Sequence, residues 1–182
     1  MDLTKYGRSL GHNRVVSSHD LIIAEIPRLR RYARALTGNP SFADDLVQDT
    51  LERALGKWRL WQRERDLRPW LFSIMHNLHV DGVRRNHRLD YCDDAELATV
   101  AQRSTQNDAL EIRDLERALF QIPLDQREVL LLVALEEMTY AEVAKALAIP
   151  VGTVMSRLSR GRSLLKERLH SETNVQLKVV AL

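Results

Sequence analysis

The chain has 182 residues, of which 45% are hydrophobic and 29% charged, a composition that excludes wholesale disorder. Its seven glycines and five prolines argue against a turn-rich β protein, and no apolar run approaches the roughly 20 residues that cross a bilayer. One cysteine, Cys92, excludes an internal disulfide, and a secretory signal is not evident. We therefore expect a cytoplasmic, mostly helical protein that does not insert into membranes.

The formal charge of +2 conceals a strong segregation of charge along the chain. Residues 41–55 carry a net charge of −3 and residues 56–88 one of +5. Residues 89–108 then carry −4 and residues 150–170 carry +4. Two basic blocks between acidic ones indicate two sites for a polyanion and at least one for a basic partner, although solvated helix faces of uneven charge would give the same pattern.

The first half of the chain predicts three helices. Ile22, Ile26, Leu29, Ala33 and Leu36 recur at spacings of three and four, which places them on one helix face. Gly38 follows, where a helix C-terminus favours a residue that can adopt positive φ. Ser41 and Asp44 have the spacing of a capping box for the second helix, and Pro69 suits the first position of the third.

The second half predicts a separate helical bundle after an acidic, polar linker. Asp125 and Glu128 have capping spacing before a run, Val129 to Leu135, that is apolar almost all round and is therefore expected at the centre of the bundle. Thr139 and Glu142 cap the next short helix. The predicted fold is all-α, with two small helical bundles joined by a flexible linker.

Residues 139–162 have the pattern of a helix-turn-helix. A short helix is followed by the tight connection Ala148-Ile149-Pro150 and then by a helix with a polar and basic outer face. Such a second helix fits the DNA major groove, where basic side chains meet phosphates and other side chains reach base edges. A plain helical hairpin within a bundle is the alternative interpretation.

Residues 57–88 combine aromatic and basic side chains. Trp58, Trp61, Trp70 and Phe72 lie among eight Lys and Arg residues, and aromatic rings with basic side chains are how single-stranded nucleic acid is held. Trp70 lies on the apolar stripe of the third helix, so a structural role in the core is expected for it. The case for nucleic-acid contact is stronger for Trp61 and the charged loop around it.

These motifs resemble the sigma factors of bacterial RNA polymerase, specifically the extracytoplasmic-function (ECF, group IV) class of the sigma-70 family. The stretch "DDLVQDTLERAL" (44–55) is similar to region 2.2, "RPWLFSIMHNLHVDGVRR" (68–85) to regions 2.3 and 2.4, and residues 122–162 to region 4. The resemblance implies an N-terminal extension (1–19), region 2 (20–90), an acidic linker (91–108), region 4 (109–170) and a C-terminal tail (171–182).

The resemblance also implies roles for particular residues. The residues implied to bind the polymerase β′ coiled coil are Asp44, Asp45, Gln48 and Asp49. The residues implied to recognise and melt the minus-ten element are Trp61, Arg63, Arg65, Arg68, Ser73, Asn77, Asp81, Arg84 and Arg85. The residues implied to bind the minus-thirty-five duplex are Thr153, Met155, Ser156, Arg157, Ser159 and Arg160. No catalytic residue, metal or cofactor is implied.

The implied partners are core RNA polymerase, through its β′ coiled coil and β flap, promoter DNA as duplex and melted strand, and an anti-sigma factor. Two features depart from the family. Met155 stands where Lys or Arg is frequent, and an apolar side chain there could contact a thymine methyl group. The loop before Arg68 lacks the frequent aspartate-proline turn. A further hypothesis is that the two bundles pack together in the free protein and then bind DNA poorly.

Two other functions are consistent with parts of the sequence. A one-component transcription regulator would explain the helix-turn-helix but not the region 2 motifs. A nucleic-acid enzyme could use Asp44, Asp45 and Asp49 as Mg²⁺ ligands, but no second set of ligands accompanies them. His76, His79 and His87 match no standard zinc spacing and are interpreted as polar-face residues near phosphates. Nothing in the sequence supports a redox role for Cys92.

Overall fold

The computed structural model describes residues 18–61, 66–89 and 108–179, and these ranges contain seven α-helices, one 3₁₀ turn and no strand. The all-α prediction is confirmed. The 3₁₀ turn is Trp58–Leu60, and the helices are α1 (Ser18–Thr37), α2 (Pro40–Gly56), α3 (Leu67–Leu89), α4 (Asp108–Phe120), α5 (Leu124–Ala134), α6 (Tyr140–Leu147) and α7 (Val151–Val179). Most of the expected N-terminal extension and linker, including Cys92, lies outside the described residues.

Helices α1 and α2 form a hairpin whose turn is set by two residues. Gly38 has a φ of +67° and donates its N–H to the Arg34 carbonyl at 2.9 Å, so it ends α1 as predicted. The capping prediction for Ser41 is wrong, because Asn39 is the N-cap. Its side chain accepts hydrogen bonds from the N–H groups of Ser41 at 2.9 Å and Phe42 at 3.3 Å, and Pro40 begins the helix.

Helix α3 begins at Leu67, so Pro69 is its third residue and not its first. The apolar spacing predicts a buried side formed by Trp70, Leu71, Ile74, Met75 and Leu78. Leu71, Ile74 and Met75 are buried, Trp70 and Leu78 are half-buried, and Phe72 is buried as well. Trp58 and Trp61, which precede the helix, pack against each other and against Trp70 within it. The Trp58 and Trp61 ring centroids are 4.6 Å apart, and each is 6.3 Å from that of Trp70.

The C-terminal half is built around α5. Its residues Val129 to Leu132 are all buried, as expected of a central helix. The capping prediction for Asp125 and Glu128 is wrong, because Pro123 is the N-cap and Glu128 is buried inside the protein. Helix α7 continues to Val179, so most of the expected C-terminal tail is helical.

The two halves of the chain share one core. Helix α6 packs against α3, and α5 packs against α1, so buried side chains of α1–α3 are continuous with those of α5–α7. The Phe120 ring lies against the Gly38 turn so closely that a Cβ atom at Gly38 would clash with its Cζ. None of the described helices is long and apolar enough to span a membrane.

Candidate nucleic-acid interface

The helix-turn-helix has the geometry that its sequence predicts. The Thr139 hydroxyl accepts a hydrogen bond from the Glu142 N–H at 3.3 Å, and Glu142 in turn accepts one from the Thr139 N–H at 2.7 Å, which completes the capping box. The Thr139 hydroxyl also donates to Glu142 Oε2 at 2.7 Å, and this hydrogen bond, followed by the one from the Thr139 N–H, lowers the pKa of the Glu142 carboxyl. Ala148 turns the chain with a φ of +52°, and α7 begins directly after Pro150.

The outer face of α7 carries the predicted minus-thirty-five residues, and its inner face is buried. Val154 and Leu158 pack inward. Met155 is 54% exposed, Thr153 is half-buried, and three more predicted residues are exposed: Ser156, Ser159 and Arg160. Arg160 donates from Nε to the Ser156 carbonyl at 3.3 Å, which holds its side chain along the helix.

Arg157 differs from the other predicted residues on α7. Its Nε lies 3.1 Å from a carboxylate oxygen of Asp125 on α5, and its side chain is 28% exposed. Because this ion pair joins α7 to α5, Arg157 helps to fix the angle between these two helices. A side chain already engaged in this way is less free to reach a base edge than Arg160.

The predicted polymerase-binding residues form an exposed acidic face on α2. Asp44, Asp45, Gln48 and Asp49 are all exposed, while Leu46, Val47 and Thr50 on the opposite side are buried. Gln48 donates to Glu52 one turn later at 3.1 Å. The two faces of α2 therefore separate core packing from an accessible negative surface.

Apart from Arg68, the predicted minus-ten residues divide into three groups. Asn77, Asp81, Arg84 and Arg85 are exposed along α3. Trp61 is half-buried in the tryptophan cluster, and Ser73 donates to the Trp70 carbonyl at 2.7 Å. Arg63 and Arg65 lie outside the described residues.

Arg68 is the predicted minus-ten residue that is most engaged within the protein. Its Nε donates to a carboxylate oxygen of Glu25 at 3.3 Å. Its positive charge also lowers the carboxyl pKa values of Glu136 and Glu142, although other causes outweigh it in both. Arg68 therefore lies among acids from both halves of the chain.

Two histidines that were interpreted as facing phosphates instead face a buried carboxylate. The Nδ1 atoms of His76 and His79 on α3 lie 3.0 Å and 3.7 Å from one oxygen of Glu128 on α5. Burial alone would raise the pKa of Glu128, but the interactions with both histidines outweigh it and hold the pKa below its ordinary value. Nearby Tyr32 is fully buried, and burial, followed by repulsion from Glu128, raises its pKa.

A second buried acid joins the halves at another point. Glu136, which follows α5, is fully buried, and its Oε1 accepts from Nε of Arg31 on α1 at 3.0 Å. Arg31 also donates to the Leu135 carbonyl at 2.8 Å, and Arg28 lies 3.8 Å from Glu136. Burial raises the pKa of Glu136, and the two arginines offset this only in part.

The sequence interpretation missed both acids as contacts between the halves. The available signal was the position of Glu128 within an almost wholly apolar helix and of Glu136 directly after it, where a carboxylate needs partners from elsewhere in the chain. Within the described residues, no group of three or more His, Cys, Asp or Glu side chains could hold a metal ion. In the part of the chain that the structure describes, the carboxylates on α2 are therefore not joined by further side chains into a group that could hold a metal ion.

Both halves of the chain match models of known protein families. Residues 22–76 match the family "Sigma2 domain of PhyR", and residues 112–165 match "Sigma-70, region 4". Among curated proteins, the chain is 38% identical over 155 residues to "ECF RNA polymerase sigma factor EcfG" of Rhodopseudomonas palustris (strain TIE-1), covering 85% of this chain and 86% of that one.

Solved structures agree with these matches. The chain is similar to the sigma factor RpoE of Bartonella quintana, crystallised with the anti-sigma factor NepR, with 31% identity and a TM-score of 0.77 over 86% of this chain and 98% of that one. It is also similar to CnrH in complex with the cytosolic domain of CnrY, with 25% identity and a TM-score of 0.64 over 84% and 87% of the two chains. These similarities span both halves and do not favour a one-component regulator; the chain belongs to the ECF RNA polymerase sigma factors.

Proposed function

We propose that this protein binds core RNA polymerase and directs it to specific promoters, where it helps to open the minus-ten element. The observation that carries the proposal is the presence, on one chain, of an exposed acidic face on α2 and a helix-turn-helix with an exposed polar and basic face on α7. The first suits a basic protein surface, and the second suits duplex DNA. In this role the protein is not an enzyme itself, because the polymerase supplies the chemistry.

The two DNA contacts differ in chemistry. The exposed α7 residues around Met155 and Arg160 suit the edges and phosphates of the minus-thirty-five duplex. On α3, Asn77, Arg84 and Arg85 are exposed and suit contact with a melted minus-ten strand. The adjoining tryptophan cluster offers ring faces, and base stacking on aromatic side chains contributes about 1–3 kcal/mol per base.

The direct test is reconstitution with core RNA polymerase followed by transcription from a genomic promoter library. We expect a stable complex and initiation at a discrete set of promoters. Binding to duplex DNA without binding to polymerase would instead establish a one-component regulator and overturn the proposal.

A charge-reversal variant tests the docking surface. In Asp45→Lys/Asp49→Lys, the α2 face changes sign while its buried side is untouched, so we expect loss of polymerase binding with unchanged helix content by circular dichroism. The matched control is Glu116→Lys/Glu137→Lys, which makes the same change in charge at exposed acids of the other half. Equal binding by both variants would place the docking surface elsewhere.

We further infer that an anti-sigma factor binds this protein, as NepR binds the similar sigma factor RpoE in its solved complex. A TM-score of 0.77 over most of the chain indicates that the halves are arranged here much as in the NepR-bound sigma factor. An anti-sigma factor of the NepR type should therefore compete with core polymerase in a pull-down. Simultaneous retention of both proteins would contradict this inference.

A further inference from the structure

We propose that Phe42 is the apolar anchor that holds the acidic face of α2 on core RNA polymerase, and that the polymerase surface there is a basic one that buries this ring. The proposal rests on the proposed function, because it adds a residue to the polymerase-binding surface and states the chemistry of the surface that receives it. The other residues proposed for that surface, Asp44, Asp45, Gln48 and Asp49, are all polar.

Phe42 is unusually exposed for an aromatic residue. It is 62% exposed, which is the largest fraction among the large hydrophobic side chains that the structure describes. The core side of α2 is formed instead by residues such as Ala43, Leu46 and Val47, which are buried. The ring therefore contributes little to packing within the chain, and most of its apolar surface is available for burial against a partner.

Helix geometry places the ring beside the acids. Asp45 and Asp49 follow Phe42 by three and seven residues, and these spacings put the three side chains on one face of α2. At 1.5 Å per residue they extend along about 10 Å of the helix. An apolar side chain therefore lies at the end of a short row of negative charges, within the area that a single docking contact covers.

The charge around the ring favours a protein over DNA as its partner. Residues 41–55 carry a net charge of −3, which repels phosphates and attracts a basic protein surface. Basic side chains also suit the ring itself, because a guanidinium group packs on an aromatic face. Arg127 does so within this chain, at 4.6 Å from the centroid of the Phe120 ring. A basic surface therefore satisfies both the acids and the ring.

The acids and the ring should act on different rate constants. Exposed charges mainly speed the encounter of two proteins, and salt weakens their effect. An aromatic side chain that becomes buried on docking mainly slows dissociation, and aromatic residues are frequent among the few that dominate the affinity of an interface. The acids thus bring the two surfaces together, and Phe42 holds them.

Binding kinetics of the full chain on immobilised core RNA polymerase test this division. We expect Phe42→Ala to raise the dissociation rate constant about tenfold or more, while the association rate constant changes less than about twofold. Asp49→Asn should mainly slow association and weaken its dependence on salt. Phe42→Leu retains a large apolar side chain and should recover part of the lost affinity.

The matched control is Ile23→Ala on α1. Ile23 is 59% exposed, but the residues one and two turns further along its helix, Pro27 and Arg30, are not acidic. This variant should bind polymerase like the wild type, and both alanine variants should keep the wild-type melting temperature, because neither side chain is buried. Equal weakening by Ile23→Ala and Phe42→Ala, or wild-type kinetics for Phe42→Ala, would overturn the proposal.

Two further measurements test other occupants of this face. Phe42→Ala should bind a minus-thirty-five duplex as the wild type does, and a loss of DNA binding as large as the loss of polymerase binding would overturn the proposal. Sedimentation equilibrium tests a second copy of the chain. A wild-type dimer that Phe42→Ala dissociates would assign the ring to self-association and would likewise overturn the proposal.

Failure of the anchor is distinguishable from failure of the proposed function. If the wild-type chain does not bind core polymerase, the proposed function is wrong and the anchor is wrong with it. If the wild type binds and Phe42→Ala binds equally well, only the anchor is wrong.

Discussion

Ala148, in the turn of the helix-turn-helix, has a φ of +52°, a conformation that costs an L-residue about 1–2 kcal/mol. Glycine adopts it without this cost. We expect Ala148→Gly to stabilise the protein by about 0.5–1 kcal/mol in urea unfolding, since added chain entropy in the unfolded state offsets part of the gain.

A control within the neighbouring helix separates the two effects of glycine. Ala144→Gly, in the interior of α6, should destabilise by about 1 kcal/mol or more, because the helical backbone favours alanine and the half-buried methyl group packs against the core. Destabilisation of similar size by both substitutions would mean that the turn carries no strain.

The free energy of unfolding should respond differently to loss of charge at the two buried acids, Glu128 and Glu136. The pKa of Glu128 is lowered in the folded protein, so its ionised form contributes stability that is present at neutral pH and lost as the pH falls through the carboxyl range. Glu128→Gln should therefore cost about 1.5–3 kcal/mol at pH 7, the usual value of a hydrogen bond to a charged group. The difference from wild type should narrow toward pH 4.

Glu136→Gln is the matched comparison. Burial raises the pKa of Glu136, so ionisation of this carboxyl is less favourable in the folded protein than in the unfolded chain, and Glu136→Gln should lower the free energy of unfolding at pH 7 by less than Glu128→Gln does. Urea titrations of both variants across this pH range provide the measurement. A larger loss for Glu136→Gln than for Glu128→Gln would reverse the assignment.

At the scale of elements, α7 combines an exposed apolar side chain with the polar recognition face. Met155 is 54% exposed, and a thymine methyl group is the apolar feature of the major groove. Replacing thymine by uracil in the minus-thirty-five duplex removes that methyl. We expect about a fourfold loss of affinity for the wild-type chain, corresponding to about 0.8 kcal/mol for one buried carbon.

Met155→Ala supplies the control for this contact. A variant without the long side chain should bind the thymine and uracil duplexes equally, as measured by fluorescence anisotropy on the full chain. If uracil weakens the variant as much as the wild type, Met155 does not read the methyl group.

At the scale of the whole molecule, the shared core predicts cooperative unfolding. Because buried residues of α1–α3 and α5–α7 form one cluster, neither half can lose its packing without exposing the other. We expect one calorimetric transition whose calorimetric and van't Hoff enthalpies agree. In the Arg31→Glu variant, which loses the contact with Glu136, the two halves should unfold in separate transitions. Two transitions in the wild-type chain would contradict the shared core.

The local features of the fold could be predicted because neighbouring residues determine them. The Thr139–Glu142 capping box, the positive φ of Gly38 and the buried stripe of α3 each depend on residues within one or two helical turns. The acidic face of α2 and the basic face of α7 follow from helical periodicity alone. The sequence by itself therefore determined the helices, the helix-turn-helix and the family resemblance.

Only the tertiary structure decided how the halves meet. His76 and Glu128 are 52 residues apart in sequence, and Arg31 and Glu136 are 105 apart, so no local pattern links them. Glu128 had the spacing of a helix cap, but Pro123 is the N-cap of α5. The buried carboxylate of Glu128 is instead stabilised by contacts with two histidines of α3. Such pairings depend on which surfaces share a core, and that is a property of the packed chain.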